Sequence, residues 1–147
     1  MSAVDLPDIN VWLALADPDH EHHDRAKRYW VTESAPRLAF TRVSMLGLLR
    51  LLGNRHVMKG DPFTAEEAWS AYQAFRDLPE VIFVAEPDSA ESRMKQWSED
   101  ATFPPSHLTD AWLASVAFTT RSRLVSFDAD YRRFQGLSFL HLTVSKA

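Results

Sequence analysis

Three aspartates have the residue type and the surroundings for chemistry: Asp8, Asp110 and Asp128. Asp8 directly follows a short strand-like segment, residues 3–7. Asp128 directly follows a buried-looking apolar run, residues 124–127. Asp110 stands in the first turn of an apolar helix, within SHLTDAWLASVA. In open α/β sheets ligands sit beyond the carboxyl ends of strands, so an acid just past a strand end holds a functional position. Carboxylates gathered without a cation repel one another, by roughly 1 kcal/mol for a pair about 4 Å apart in water and about 4 at an effective dielectric near 20. A convergent set therefore requires a cation or a shared proton. Mg²⁺ and Mn²⁺ are hard cations that take oxygen ligands. Such an ion polarises a phosphoryl group and lowers the pKa of bound water, which supplies a nucleophile without His or Cys.

Each acid also has a simpler explanation. Asp110 favours the helix dipole wherever it stands in a first turn, Asp128 can cap the turn after its strand, and Asp8 can cap a helix at residues 10–16. Their joint placement on one predicted sheet edge favours a common pocket. Asp130 reads as a cap for the turn 131–134 rather than as a ligand. His20, His22 and His23 lack the i, i+4 spacing of a helical zinc pair and read as a solvated helix start. The five tryptophans fall at amphipathic positions and read as core or interface. Arg42, Arg50, Arg55 and Lys59 surround the helix at 43–52; they suit phosphate contact or a solvated face equally well.

The elements that must position these acids alternate. Strands are expected at residues 3–7, 38–41, 81–84, 124–127 and 139–142. Helices are expected at 10–16, from Asp19 as N-cap to about 33, at 43–52, at 64–76 behind the capping box TAEE, and at 88–97 behind Asp88 and Glu91. Alternation of this kind predicts an α/β fold, a parallel sheet of about five strands flanked by helices. A chain of 147 residues fits one domain, with 46% hydrophobic and 24% charged residues. No cysteine is present, which excludes disulfides and thiolate metal sites and suits a reducing cytoplasm. No apolar run approaches a membrane span, and the acidic N-terminus is unlike a signal peptide. A net charge of −4 excludes whole-molecule capture of nucleic acid, so any such binding needs a local basic patch. Four glycines without a phosphate-loop pattern argue against a nucleotide fold.

The segments DINVWLALA, HLTDAWLASVA and LVSFDADYRRF, in this order over nearly the whole chain, resemble the PIN domain, most closely the VapC-like toxins of bacterial toxin–antitoxin pairs. The resemblance implies a three-layer fold and an endoribonuclease in which acids at Asp8, Asp110 and Asp128 bind Mg²⁺ or Mn²⁺. It implies that Ser126 and Asn10 support the pocket, with a VapB-like antitoxin as partner and a two-fold homodimer. Apolar residues beyond one face's need on helices 43–52 and 64–76 (Met45, Leu48, Leu51, Trp69, Tyr72) point to the same dimer. RNA is expected to meet Arg42 and Arg50. One departure stands out. The family's usual fourth acid, a glutamate in the helix after the second strand, falls on Gly47 or Met45, and Asp130 is the nearby acid to replace it. Two other readings remain: a PIN-like binding module that has lost catalysis with that glutamate, and a phosphoacceptor domain. The latter needs adjacent acids after the first strand, and Asp8 has no acidic neighbour.

Overall fold

The computed structural model describes residues 3–144. Five parallel strands, β1 (Val4–Pro7), β2 (Arg37–Phe40), β3 (Val81–Phe83), β4 (Arg123–Ser126) and β5 (Phe139–His141), form one sheet in the order β3-β2-β1-β4-β5. From β1 the chain steps outward one way to β2 and β3, and later the other way to β4 and β5. The strand order thus reverses between β1 and β4, where open α/β sheets place their ligand crevice.

Helices α1 (Ile9–Ala16), α2 (His23–Thr32), α3 (Arg42–Leu52), α4 (Ala65–Arg76), α5 (Ala90–Ser98) and α6 (Leu108–Thr119) complete three layers. Alternation along the strands divides the core in two. Leu38, Phe40 and Val125 join Trp12, Tyr29, Leu48 and Tyr72 on one face. Leu6, Ala39 and Leu124 join Ala111, Leu113, Ala114 and Ala117 of α6 on the other. Leu6 and Leu124 face α6, so Asp8 and Ser126, two residues further on, point the same way.

A tight turn sets α6 against β4. The Ser122 N–H donates to the Ala117 carbonyl (2.8 Å) and the Arg121 N–H to that of Phe118 (3.3 Å), with Arg121 at φ 58°. These are the two bonds of a Schellman end. The chain reverses at once, so the N-terminus of α6 and the carboxyl end of β4 lie at the same sheet edge.

Several helix starts differ from the sequence expectation. Thr41 is the N-cap of α3 in a capping box with Ser44, not the last strand residue. Asp19 does not cap α2. It closes a turn on Asp17 through its own N–H (3.0 Å), and further turns delay the helix to His23. Asp88 and Glu91 form no capping box, because α5 begins after Ser89 without a side-chain cap. The TAEE box does form: Thr64 and Glu67 bond reciprocally. The apolar surplus on α3 and α4 is mostly used within the chain. Met45, Leu48 and Tyr72 are buried between α1, α3, α4 and the sheet, whereas Trp69 and Leu46 stay exposed.

Candidate active site

Asp8 follows β1 and Ser126 ends β4 beside it; the Asp8 N–H donates to the Val125 carbonyl at 2.8 Å. Asp8 is 7% exposed. Its Oδ1 accepts the Ile9 N–H (2.8 Å), so it does cap α1, and its Oδ2 accepts the Ser126 hydroxyl (2.8 Å). The capping role and a place in the pocket coexist. The Ser126 oxygen in turn accepts Asn10 Nδ2 (3.2 Å) and the Asp128 N–H (3.0 Å). A hydroxyl has one proton and two lone pairs, and here all three are used. Asn10 Oδ1 takes the Phe127 N–H at 3.4 Å, which fixes its amide across the two strand ends.

Asp110, in the first turn of α6, is half-buried. Tyr131, in the 3₁₀ turn Ala129–Arg133, lies between it and Asp8. Its hydroxyl donates to Asp110 Oδ1 at 3.2 Å and stands close enough to Asp8 to act on its charge. Burial pushes the Asp8 carboxyl up to about 6; the Ser126 bond opposes this and the Asp110 charge adds to it. Burial likewise raises Asp110, opposed by the Tyr131 bond and reinforced by the charges of Asp128 and Asp130. Burial and the two acids beside it raise the Tyr131 phenol, which therefore remains a hydrogen-bond donor.

The expected three-acid coordination sphere is not closed. Among the described residues no group of three or more acid or histidine side chains is arranged to hold a metal ion as it stands. Asp128 turns Oδ1 back onto the Asp130 N–H (2.9 Å) and is itself the cap of the 3₁₀ turn. That corrects the reading of Asp130 as the cap; Asp130 is exposed in the first turn instead.

Of the two positions expected for a fourth acid, Gly47 and Met45, Gly47 packs against Ile9, the neighbour of Asp8. A Cβ there would stand 2.3 Å from Ile9 Cδ1 and 2.8 Å from Cγ1. Ile9, next to Asp8, fills the space a glutamate would need. Met45 is instead a core residue, with its sulfur 3.2 Å from Arg42 Nη1. Arg42 lays its guanidinium over Phe83 at 4.5 Å. Arg50 is exposed beside Ile9, Val43, Leu46, Gly47 and Thr109, around a cleft of about 410 Å³.

The histidines are less solvated than their spacing suggests. His23 Nδ1 bonds the Ala14 carbonyl (2.7 Å), and His22 stacks on Phe127 at 4.8 Å. Two supporting residues carry no sequence signal. Tyr131 looks like any aromatic after a turn, and Glu86 lies in a plain loop. Glu86 accepts the N–H groups of Arg42 (2.8 Å) and Val43 (3.3 Å) at the start of α3 and the indole N–H of Trp112, tying α3 to α6.

A buried Asp8 and half-buried Asp110 and Asp128, hard oxygen donors at a strand-order switch with no ion pair of their own among the described residues, fit a divalent ion. The PIN domain family model matches residues 6–137. The chain belongs to the PIN domain family. It is 39% identical to Ribonuclease VapC41 of Mycobacterium tuberculosis over 138 residues, 90% of this chain and 94% of that one. It is 32% identical to Ribonuclease VapC39 of the same organism over 125 residues, 84% and 88% of the two chains. In fold it resembles the crystal structure of M. tuberculosis VapC20, a sarcin–ricin loop cleaving toxin, with TM-score 0.67 and 21% identity over 88% of this chain and 92% of that one. It also resembles the DNA-bound VapBC of Salmonella typhimurium, with TM-score 0.65 and 13% identity over 97% and 100%. The five-stranded parallel sheet with six helices is thus the PIN architecture.

Proposed function

We propose that this PIN domain protein is an Mg²⁺- or Mn²⁺-dependent endoribonuclease, the toxin of a VapBC-like toxin–antitoxin pair. The observation that carries the reading is the buried Asp8 beside Asp110, two carboxylates whose pKa values burial raises and whose charges act on each other, in a chain 39% identical to a VapC ribonuclease. Asp8 and Asp110 would hold the ion with Asp128, and Asp130 is the acid placed to supplement them. When bound, the ion polarises an RNA phosphodiester and activates water for its hydrolysis. Ser126 and Asn10 fix the Asp8 carboxylate, and Tyr131 orients Asp110 while donating its proton. Arg50 stands on the Ile9 side of the pocket, where it can meet RNA; Arg42 is held over Phe83.

No helix among the described residues is long and apolar enough to cross a membrane. A single domain acting in the cytoplasm beside a VapB-like antitoxin suits this reading. A homodimer through α3 and α4, where Leu46 and Trp69 are exposed, completes it; sedimentation as a monomer at tens of micromolar, about the range of weak dimers, would remove that element.

Asp110→Asn tests the whole. It retains shape and helix-start bonding but removes one negative ligand. Metal affinity by calorimetry and cleavage of long RNA should fall together, the latter by about 100-fold or more, the scale of one electrostatic catalytic group, while the fold persists. A role limited to the helix dipole predicts a stability loss of only about 0.3–1 kcal/mol and unchanged cleavage. The second reading, a binding module without catalysis, is favoured by the closed Gly47–Ile9 contact. Wild-type protein that binds RNA but leaves it uncut in Mg²⁺ and in Mn²⁺ would establish it.

A further inference from the structure

Next to Asp128, and sharing no lining residue with the cleft at Gly47, opens a cleft of about 380 Å³ lined by Pro104, His107, Ala129, Asp130, Arg132 and Arg133. A chain of net charge −4 must concentrate its attraction for a polyanion locally. Arg132 and Arg133 are both exposed, both belong to the turn that carries Tyr131, and neither is in an ion pair. The ion pairs among the described residues use Arg25, Lys95, Arg123 and His22.

Each guanidinium is nevertheless held in place, by a histidine. His141 Nε2 lies 3.0 Å from the Phe127 carbonyl, which only accepts, so the ring proton sits there and Nδ1 is the acceptor. Arg132 Nη2 donates to that Nδ1 at 3.2 Å. Arg133 Nη1 donates to His107 Nδ1 at 3.1 Å and its guanidinium lies over the Phe103 ring at 4.8 Å. A carboxylate partner would cancel the charge it positions, whereas a ring nitrogen that accepts the N–H positions the guanidinium and leaves its charge for a ligand. Both braces are rooted in the acidic pocket: Phe127 precedes Asp128, and His107 immediately precedes the helix that carries Asp110. Planar, pre-positioned guanidinium groups suit phosphate oxygens.

We propose that Arg132 and Arg133, braced by His141 and His107, grip the RNA phosphates flanking the one at the carboxylates. They thereby set the strand's path through this cleft rather than over the Arg42–Arg50 side. The inference rests on the ribonuclease reading.

The test is fluorescence anisotropy of a labelled single-stranded RNA of about 15 nucleotides, in EDTA, across about 50–200 mM salt, with the full chain. Each lost phosphate contact reduces the salt slope by about 0.7. Arg132→Ala/Arg133→Ala should therefore reduce it by about 1.4 and weaken binding at the lowest salt by about tenfold. Arg132→Lys/Arg133→Lys keeps both charges and should retain the slope, which separates charge from folding. Arg42→Ala/Arg50→Ala should change the slope less. An unchanged slope in the double alanine variant, loss of slope in the lysine variant, or an equal loss in the Arg42/Arg50 variant would each overturn the proposal. If wild-type protein cuts RNA and the slope ignores Arg132 and Arg133, this inference alone falls. If wild-type protein neither binds nor cuts RNA, the ribonuclease reading falls with it.

Discussion

Strand β1 carries one buried aspartate and leads directly into another three residues later, and the sheet treats them in opposite ways. Asp5, fully buried, points towards α2 and is surrounded by donors. Arg123 Nε and Nη2 grip its two oxygens at 2.9 Å each, the Tyr29 hydroxyl donates at 2.6 Å, and the Ala35 N–H at 3.0 Å. Asp8 points to the other face, towards α6. Two direct donors, the Ser126 hydroxyl and the Ile9 N–H, reach its oxygens, and the charged group acting on it is an acid, Asp110. Burial alone does not separate scaffold from site here. The sign of the surroundings does: the protein pairs one carboxylate with a guanidinium, and sets the other beside a second acid. A buried charge without a partner is costly, and its perturbed pKa makes it a candidate for ligand binding.

The largest effect that would sharpen this contrast is expected at Asp5. Asp5→Ala strips Arg123 of its carboxylate and leaves the Tyr29 hydroxyl unpaired in the core. Urea unfolding should show a loss of about 3 kcal/mol, the lower end for a broken buried pair because Arg123 is partly exposed. Cleavage per folded molecule should stay near the wild-type rate. A loss of cleavage beyond the loss of folded protein would place Asp5 in the site after all.

Asp8 should behave inversely with pH. Its folded pKa, about 6, lies above the ordinary 3.8. The stability linked to its protonated form is therefore complete below about pH 4 and is lost as pH rises through 6. In EDTA this amounts to up to about 3 kcal/mol between pH 4 and 7, because each tenfold change in proton affinity is worth about 1.36 kcal/mol. Asp8→Asn should abolish that slope, leave the metal-free protein more stable than wild type at pH 7, and eliminate cleavage. Mg²⁺ or Mn²⁺ should flatten the slope of the wild type by binding the ionised form. Chemical denaturation across pH checks each point, and a wild-type slope that survives in Asp8→Asn would assign it to another group.

A smaller effect is expected where an acid is missing. Gly47→Glu drives its Cβ into Ile9 and should cost about 1–3 kcal/mol, the range for overpacking. Combining it with Ile9→Ala should be less destabilising than the sum of the two single changes and should raise divalent-ion affinity, read by calorimetry. Additive costs with unchanged affinity would show that this contact does not govern the fourth position.

The sequence makes the Asp8 side of the contrast legible and leaves the Asp5 side hidden. Largely apolar runs such as VIFV and LVSF mark strands because a parallel sheet is buried on both faces, and acids at the ends of such runs are visible in one dimension. Asp5 sits inside a strand, and Arg123, its partner, is 118 positions away, so nothing local announces the pair. Tyr131 and Glu86 are hidden for the same reason: each acts across elements, one between Asp8 and Asp110, the other between α3 and α6. Helix starts are misread where polar residues compete for one role. Asp17 and Asp19 both suit a cap, and the turn they make together delays α2; Asp128 and Asp130 compete likewise, and the earlier residue takes the N–H. The apolar excess of α3 and α4 suggests a surface until the packing of α3 against both α1 and α4 consumes most of it.

The position of β4 also bears on how the protein is made. The central strand β1 is synthesised first, yet its pairing with β4 joins residues 5–7 to residues 123–125. Until β4 leaves the ribosome, β1 has one open edge, Asp5 lacks its arginine, and Asp8 lacks the serine that orients it. Domains fold as units during synthesis, and here the strand that closes the open edge of β1 also delivers Ser126 and leads into Asp128. A nascent or truncated chain that ends before β4 therefore has neither a finished fold nor an assembled site. Whatever the pocket does, a cell meets it only once β4 and the turn that follows it are in place.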